Sequence, residues 1–246
     1  MNKVLVFSFL LGLVSCYTPK VTETKSENVS LNNRYEGDAL EEIIKPYRDK
    51  VDAEMNEVIA SADFDIIKYT PSSPLSNLVA DIVFEKGMDI LKESGEIYTK
   101  QNTFSLLNFG GLRAPINKGE ITIGNVYELM PFDNSICVLT ITPQKMDDFF
   151  AYMKEAEGQP VSNLFLDLSS DSANAEIGGE SYDSNQNIHI ITSDYLATGG
   201  DRMNFLKSPV KRKNLNVLIR DAIIEHLQLV KNLKESALSD QRIKLN

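Results

Sequence analysis

Three short segments hold residue types that a hydrophobic core does not need. The first is Asn108-Phe109-Gly110-Gly111-Leu112-Arg113. Adjacent glycines permit a tight backbone turn and the close approach of a ligand. Arg113 brings a planar, permanently charged fork that suits phosphate or carboxylate, and Asn108 brings both a donor and an acceptor. The second is Met130-Pro131-Phe132-Asp133-Asn134, in which Phe132 can offer a ring face for stacking. The third, DYLATGGD, runs from Asp194 to Asp201 and sets Gly199 and Gly200 beside a carboxylate. Asp201 can bind sugar hydroxyls or the exocyclic groups of a base, and Tyr195 is a second candidate stacking face. Taken singly, each segment also reads as an ordinary turn: a Gly-Gly bend with a surface Arg, a Phe plugging the core, a Gly-rich loop with a capping Asp.

Such loops need a scaffold. Leu40, Ile43, Ile44, Tyr47, Val51, Met55, Val58 and Ile59 recur at helical spacing. They predict a helix over 39–61 that Pro46 kinks or interrupts. Leu75, Leu78, Val79 and Ile82 give the i, i+3, i+4, i+7 pattern of a second helix, which runs to about residue 93 and stops before Gly95. Met146, Phe149, Phe150 and Met153 repeat that pattern after Thr142-Pro143, read as a cap and first helical position. A last helix is predicted over 215–233. Thr103–Leu107, Ser135–Thr142, Leu164–Leu168 and Ile188–Ile191 carry aliphatic or β-branched residues at strand length. The Phe132 segment is thus expected between two strand-like runs. Helices and strands mix without strict alternation, so the expected class is α+β, a mixed β-sheet packed with helices. No internal repeat divides the chain, and one folded domain is expected over 35–246.

The 246 residues are 42% hydrophobic and 24% charged, a globular composition with enough apolar residues for a core. A net charge of -10 with no basic block argues against a nucleic acid polymer as partner. Two His and two Cys are too few for a Cys/His zinc cluster or a disulfide framework. An all-carboxylate metal site is not excluded by counting. His189, in a strand-like run, and His226, on the last helix, are read as structural. Cys137 is read as a small buried apolar residue, and Asp147-Asp148 as a solvated helix start.

Lys3 precedes a nearly continuous apolar run from Val4 to Val14. The run is too short to cross a bilayer, which takes about 20 apolar residues, and has the length of a signal-peptide core. It ends in Leu13-Val14-Ser15-Cys16, which resembles a bacterial lipobox. The expectation is a signal peptide over 1–15, lipidation of Cys16 and a polar, flexible tether over 16–34. The chain is then a membrane lipoprotein of the cell envelope, facing the periplasm or the exterior. The alternative is an ordinary secretory signal that happens to contain a Cys.

Read in order, the segments NFGGLRAPI, GEITIGNVY, PFDN and DYLATGGD resemble the C-terminal domain of the 5'-nucleotidase family. Ser73-Pro74-Leu75-Ser76-Asn77-Leu78-Val79-Ala80-Asp81 resembles that domain's early "LGNLxADA" helix, and Glu54–Ile59 its first helix. Family members pair this domain with a metallophosphatase domain that holds two divalent metals and the water nucleophile. The C-terminal domain binds the nucleotide and swings it to the metals. The resemblance implies that Phe132 and Tyr195 sandwich the base, that Asp201 touches the ribose and that Asn134 contacts the base. It implies further that Asn108 and Arg113 meet sugar and phosphate, with Gly110, Gly111, Gly199 and Gly200 completing the substrate-binding set. Stacking a base on an aromatic ring contributes roughly 1–3 kcal/mol.

Two departures bear on function. Relatives carry a further substrate-binding Arg shortly before "LGN", whereas here Lys68 is the nearest cation and is not an equivalent fork. Motifs of the metallophosphatase domain do not occur, so neither a catalytic residue nor a cofactor is expected in this chain. Three readings follow. The chain is the substrate-binding half of a 5'-nucleotidase-type hydrolase, active in nucleotide catabolism with a separate metallophosphatase chain that supplies the metals. Or it is a non-catalytic, lipid-anchored nucleoside or nucleotide binding protein. Or it is a scaffold without ligand.

Overall fold

The computed structural model describes Lys25 and residues 38–93, 98–170 and 173–245. The expected signal peptide, Cys16 and, apart from Lys25, the tether lie outside the described residues. The chain divides into two compact units, Met1–Ile43 and Ile44–Asn246. Of the first, only Lys25 and residues 38–43 are described, and they include the opening turn of a helix.

In chain order the elements are α1 (Asp38–Met55), β1 (Val58–Ala62), α2 (Pro74–Glu93), β2 (Thr103–Leu106), β3 (Gly119–Thr122), α3 (Ile123–Leu129), β4 (Ser135–Ile141), α4 (Lys145–Glu155) and β5 (Val161–Ser162). There follow β6 (Leu164–Asp167), β7 (Asn174–Ile177), β8 (Glu180–Ser181), β9 (Ile188–Ser193), α5 (Asp194–Ala197), β10 (Lys211–Leu218), α6 (Ile219–Val230), β11 (Asn232–Leu233) and β12 (Ile243–Lys244). The class is the expected mixture of helices with mixed sheets. A central sheet has the order β10-β4-β9-β2-β5, flanked by β11-β1-β3 and β12-β6-β7-β8.

The inner strands of the central sheet are buried on both faces, and β4 shows why its sequence is almost continuously apolar. Successive side chains of a strand point to opposite sides. Ile136 and Val138 enter a core shared with α2, α3 and α6. Cys137, Leu139 and Ile141 enter a second core with Phe104, Phe149, Ile190 and Leu166. Burial of this kind stabilises by about 25 cal/mol per Å² of apolar surface. The Cys137 thiol is fully enclosed, and desolvation pushes its pKa up to about 12, as fits a packing residue.

Several boundaries differ from the sequence expectation. The first helix ends at Met55, and Val58 and Ile59 open β1, paired antiparallel with β3. Both are β-branched and gain more from the sheet than from extending a helix. Pro46 lies inside α1 without ending it. Leu215 and Val217 belong to β10, which pairs with β4, and the last helix begins only at Ile219. The third expected helix begins at Lys145. Thr142 and Pro143 form the preceding turn, their carbonyls accepting from the Lys145 and Met146 N–H groups. The Phe132 segment is preceded by helix α3 rather than by a strand. Thr122 and Asn125 form a reciprocal cap that starts that helix directly after β3.

Candidate functional site

Topology brings the three loop segments together. β2 and β9 run parallel side by side, and β4 runs antiparallel to β9. The loops leaving β2 and β9 and the loop entering β4 therefore share one end of the sheet. There they enclose a cavity of about 300 Å³ lined by Asn108, Gly110, Gly111, Arg113, Phe132, Asn134, Tyr195 and Asp201. Phe132 and Tyr195 keep 44% and 45% of their surface exposed.

Asp201 is the most constrained residue of the site. The Asn108 amide donates to one carboxylate oxygen at 2.5 Å, and the Tyr195 hydroxyl donates to the other at 3.1 Å. Its backbone is left-handed, with φ 49°, and the next residue, Arg202, has φ 64°. Two consecutive non-glycine residues in that region store strain, which the surroundings must hold. The Tyr152 hydroxyl does part of this, donating to the Asp201 carbonyl at 3.1 Å. Burial and the nearby Asp201 charge raise the Tyr152 pKa, which keeps this donor protonated. Gln159 completes the link. Its amide nitrogen donates to Tyr152 at 3.3 Å, while its oxygen accepts from the Phe109 N–H at 2.9 Å. One side chain thereby ties the Gly110-Gly111 loop to the Asp201 turn.

Gly199 and Gly200 stand behind the cavity wall rather than on it. A side chain at Gly200 would collide with the Tyr195 ring, so glycine there allows the ring to lie against the backbone. Gly199 has φ 89° and packs against Lys207.

The cations are engaged to different degrees. Arg113 donates to the Gly110 carbonyl at 3.3 Å and lies 6.0 Å from the Phe132 ring centroid. The Lys68 ammonium donates to the Phe109 and Leu112 carbonyls at 3.1 and 2.5 Å, so it staples the loop from beneath. Arg220 is buried, pairs with Asp133 at 2.5 Å and lies 4.2 Å from the Tyr127 ring centroid. It anchors the segment that carries Phe132. Asp194 accepts from the Ser135 and Tyr195 N–H groups at 3.2 and 2.8 Å, joining that segment to α5.

The roles of Tyr152, Gln159, Arg220 and Asp194 are not evident from the sequence. Asp194 lies inside a recognised segment, but Tyr152 and Gln159 carry no local signal. His189 shares a hydrogen bond with Thr140 at 3.0 Å and meets the edge of Tyr98. Burial lowers its pKa. His226 lies 3.7 Å from Glu85. Neither lines the cavity. Asp147 and Asp148 sit in the first turn of α4.

The resemblance read in the sequence implies two divalent metals in a metallophosphatase domain. The cavity described here supplies one carboxylate, no imidazole and no thiol. Among the described residues no group of three or more His, Cys, Asp or Glu is placed to hold a metal ion. These side chains do not fit a metal pair.

Comparison with known proteins matches residues 53–208 to the model of the 5'-nucleotidase C-terminal domain. The chain is 25% identical over 193 residues to a 5'-nucleotidase of Vibrio vulnificus (strain CMCP6), covering 72% of this chain and 32% of that protein. It is 34% identical over 95 residues to the trifunctional nucleotide phosphoesterase protein YfkN of Bacillus subtilis (strain 168), covering 39% of this chain and 5% of that protein. The crystal structure of a 5'-nucleotidase precursor from Thermus thermophilus shares the fold. Its TM-score is 0.67 at 24% identity, covering 83% of this chain and 42% of that one. The chain spans about a third of the length of the first of these relatives.

Proposed function

Because the chain belongs to the 5'-nucleotidase C-terminal domain family, we propose that it is the substrate-binding half of a 5'-nucleotidase-type hydrolase. It holds a nucleotide or nucleoside in the cavity and presents it to a separate metallophosphatase chain, in nucleotide breakdown at the cell envelope. The observation that carries this reading is convergence. Three segments far apart in sequence place eight residues of the expected binding set around one cavity.

In this reading the base stacks on Phe132 and Tyr195 while Asn134 meets its edge. The ribose hydroxyls donate to Asp201, whose carboxylate is held in place by Asn108 and Tyr195. An ionised carboxylate offers about four acceptor sites, and these two donors leave room for a diol. Charge-assisted hydrogen bonds of this kind are about twice as strong as neutral ones. The metal-dependent hydrolysis, including the attacking water, belongs to the partner. Anchoring through lipidated Cys16 is part of the same proposal, and Cys16→Ala should release the protein from the membrane fraction.

The test is calorimetric titration of the full-length chain with AMP, beside a Phe132→Ala variant. Saturable binding is expected, weakened by roughly tenfold in the variant through loss of one stacking face. Absence of binding at about millimolar AMP, a free energy near 4 kcal/mol, would leave the scaffold reading in its place.

A further inference from the structure

We propose that α1 is a self-association helix, which pairs antiparallel with α1 of a second copy of this chain. The inference is independent of how the cavity is read.

The apolar rows of α2 and α6 are buried in the core. That of α1 is not: every residue from Leu40 to Glu54 is exposed, Tyr47 by 74%. Leu40, Ile44, Tyr47 and Val51 recur at alternating spacings of four and three residues, so they lie along one seam of the helix. The other side carries Glu42, Lys45, Asp49 and Asp52, with Lys45 and Asp49 paired at 2.7 Å. Most helix stability in proteins comes from packing an apolar face against something. Pro46, inside α1, removes a backbone hydrogen bond as well. A helix of this make calls for a partner along its seam.

The seam is complementary to itself, which points to a second copy. Its spacing reads the same in both directions. With two α1 helices antiparallel, Leu40 meets Val51 of the second copy and Ile44 meets Tyr47 of the second copy. Two-fold symmetry supplies the reverse pairs. The flanking charges agree with this register. Glu41 comes beside Arg48 of the second copy, twice by symmetry, and the Lys50 stem covers Ile43. Glu41 and Arg48 also interact within the chain, so the register adds opposite charge to side chains already held. A parallel pair would instead set Ile43 beside Arg48 and match no charges along the seam. Two helices this short bury less than the roughly 1,200 Å² of a standard interface, so the dimer is a weak one, half-dissociated at roughly 10 μM.

The experiment is sedimentation of the full-length chain carrying Cys16→Ala, from about 1 to about 100 μM, a range that brackets such a dissociation constant. A monomer–dimer equilibrium is expected, and Tyr47→Glu should remain monomeric throughout. Arg48→Glu should weaken the dimer by roughly tenfold, because two attractive pairs become repulsive. Adding Glu41→Arg to it should restore most of the loss, which a merely sticky surface would not do. Oxidation in the same background reads the direction of pairing. Leu40→Cys alone should not cross-link, because its two copies lie about 16 Å apart along the pair, beyond disulfide reach. Mixed with Val51→Cys it should give the mixed dimer. Self-cross-linking of Leu40→Cys, or a charge swap that restores nothing, overturns the proposal. So does a monomer at every concentration, which would assign the seam to another occupant: the metallophosphatase chain, or the apolar run from Val4 to Val14.

Discussion

Two carboxylate clusters in this molecule look alike on paper and differ in what they leave open. Under the C-terminal segment, Arg242 clasps Asp81 with both terminal nitrogens at 2.8 Å and reaches Asp240 through Nε at 2.9 Å and the Val161 carbonyl at 2.8 Å. All of its N–H donors have acceptors, its side chain is 10% exposed, and it locks the segment leading to β12 onto α2 and β5. At the sheet end, Asp201 receives only two side-chain donors, sits on left-handed backbone and borders a cavity. The first cluster is saturated and the second is not. Saturation marks an assembly that serves the fold. An oriented group with acceptor capacity to spare, held at a cost in strain, marks a place for a ligand.

The contrast is open to direct attack. Arg242→Ala leaves two carboxylates without their cation and should destabilise by about 3 kcal/mol. Chemical denaturation measures this, and AMP affinity of the folded fraction should not change. Asp201→Ala should do the reverse, weakening adenosine binding by roughly 10- to 100-fold, the worth of hydrogen bonds to a charged group. Its denaturation midpoint should move less than that of Arg242→Ala: Asp201 is exposed, so the two donors it leaves can turn to water, although an alanine at φ 49° keeps the backbone strain. If the two variants exchange these signatures, the distinction between the clusters is wrong.

A finer cut is Gln159→Leu. It removes the bridge between Tyr152 and the Phe109 N–H without touching the cavity lining. Adenosine affinity should fall by about three- to tenfold, one to two hydrogen bonds' worth. Combined with Asp201→Ala it should add almost nothing, because Gln159 acts through the Asp201 turn. Independent, additive losses would make Gln159 a packing residue only.

The smallest effect concerns His189. Burial lowers its pKa below the ordinary imidazole value. On acidification the unfolded chain therefore takes up the proton first. Stability is full above the unfolded pKa, near 6.5, and declines as pH falls from there toward the folded pKa. His189→Gln should flatten that part of the stability profile, with no change in ligand affinity. An unaltered slope would show that His189 contributes nothing to it.

Much of this was legible in the sequence wherever local chemistry and tertiary demand agree. The run from Ser135, aliphatic and β-branched at strand length, is the strand expected, and the Gly-Gly and Phe-Asp-Asn segments border the cavity. Reading failed where a distant partner decides. Val58 and Ile59 continue a helical period but belong to β1, the strand that pairs with β3, and Leu215 belongs to β10, the strand that pairs with β4. Tyr152 and Gln159 are unremarkable in sequence. Their importance lies in bonds to residues 49 and 50 positions away, which no spacing rule reports. Lys68 was visible as a cation, but its commitment to two carbonyls is a fact of the folded loop.

The central claim is that the cavity grips a nucleoside by its base and its diol. A crystal structure of the full-length chain grown with adenosine tests this most directly. The base is expected against Phe132 and Tyr195, with both ribose hydroxyls within hydrogen-bond distance of the Asp201 carboxylate. Adenosine bound elsewhere, or bound in the cavity with its ribose turned away from Asp201, would contradict the claim.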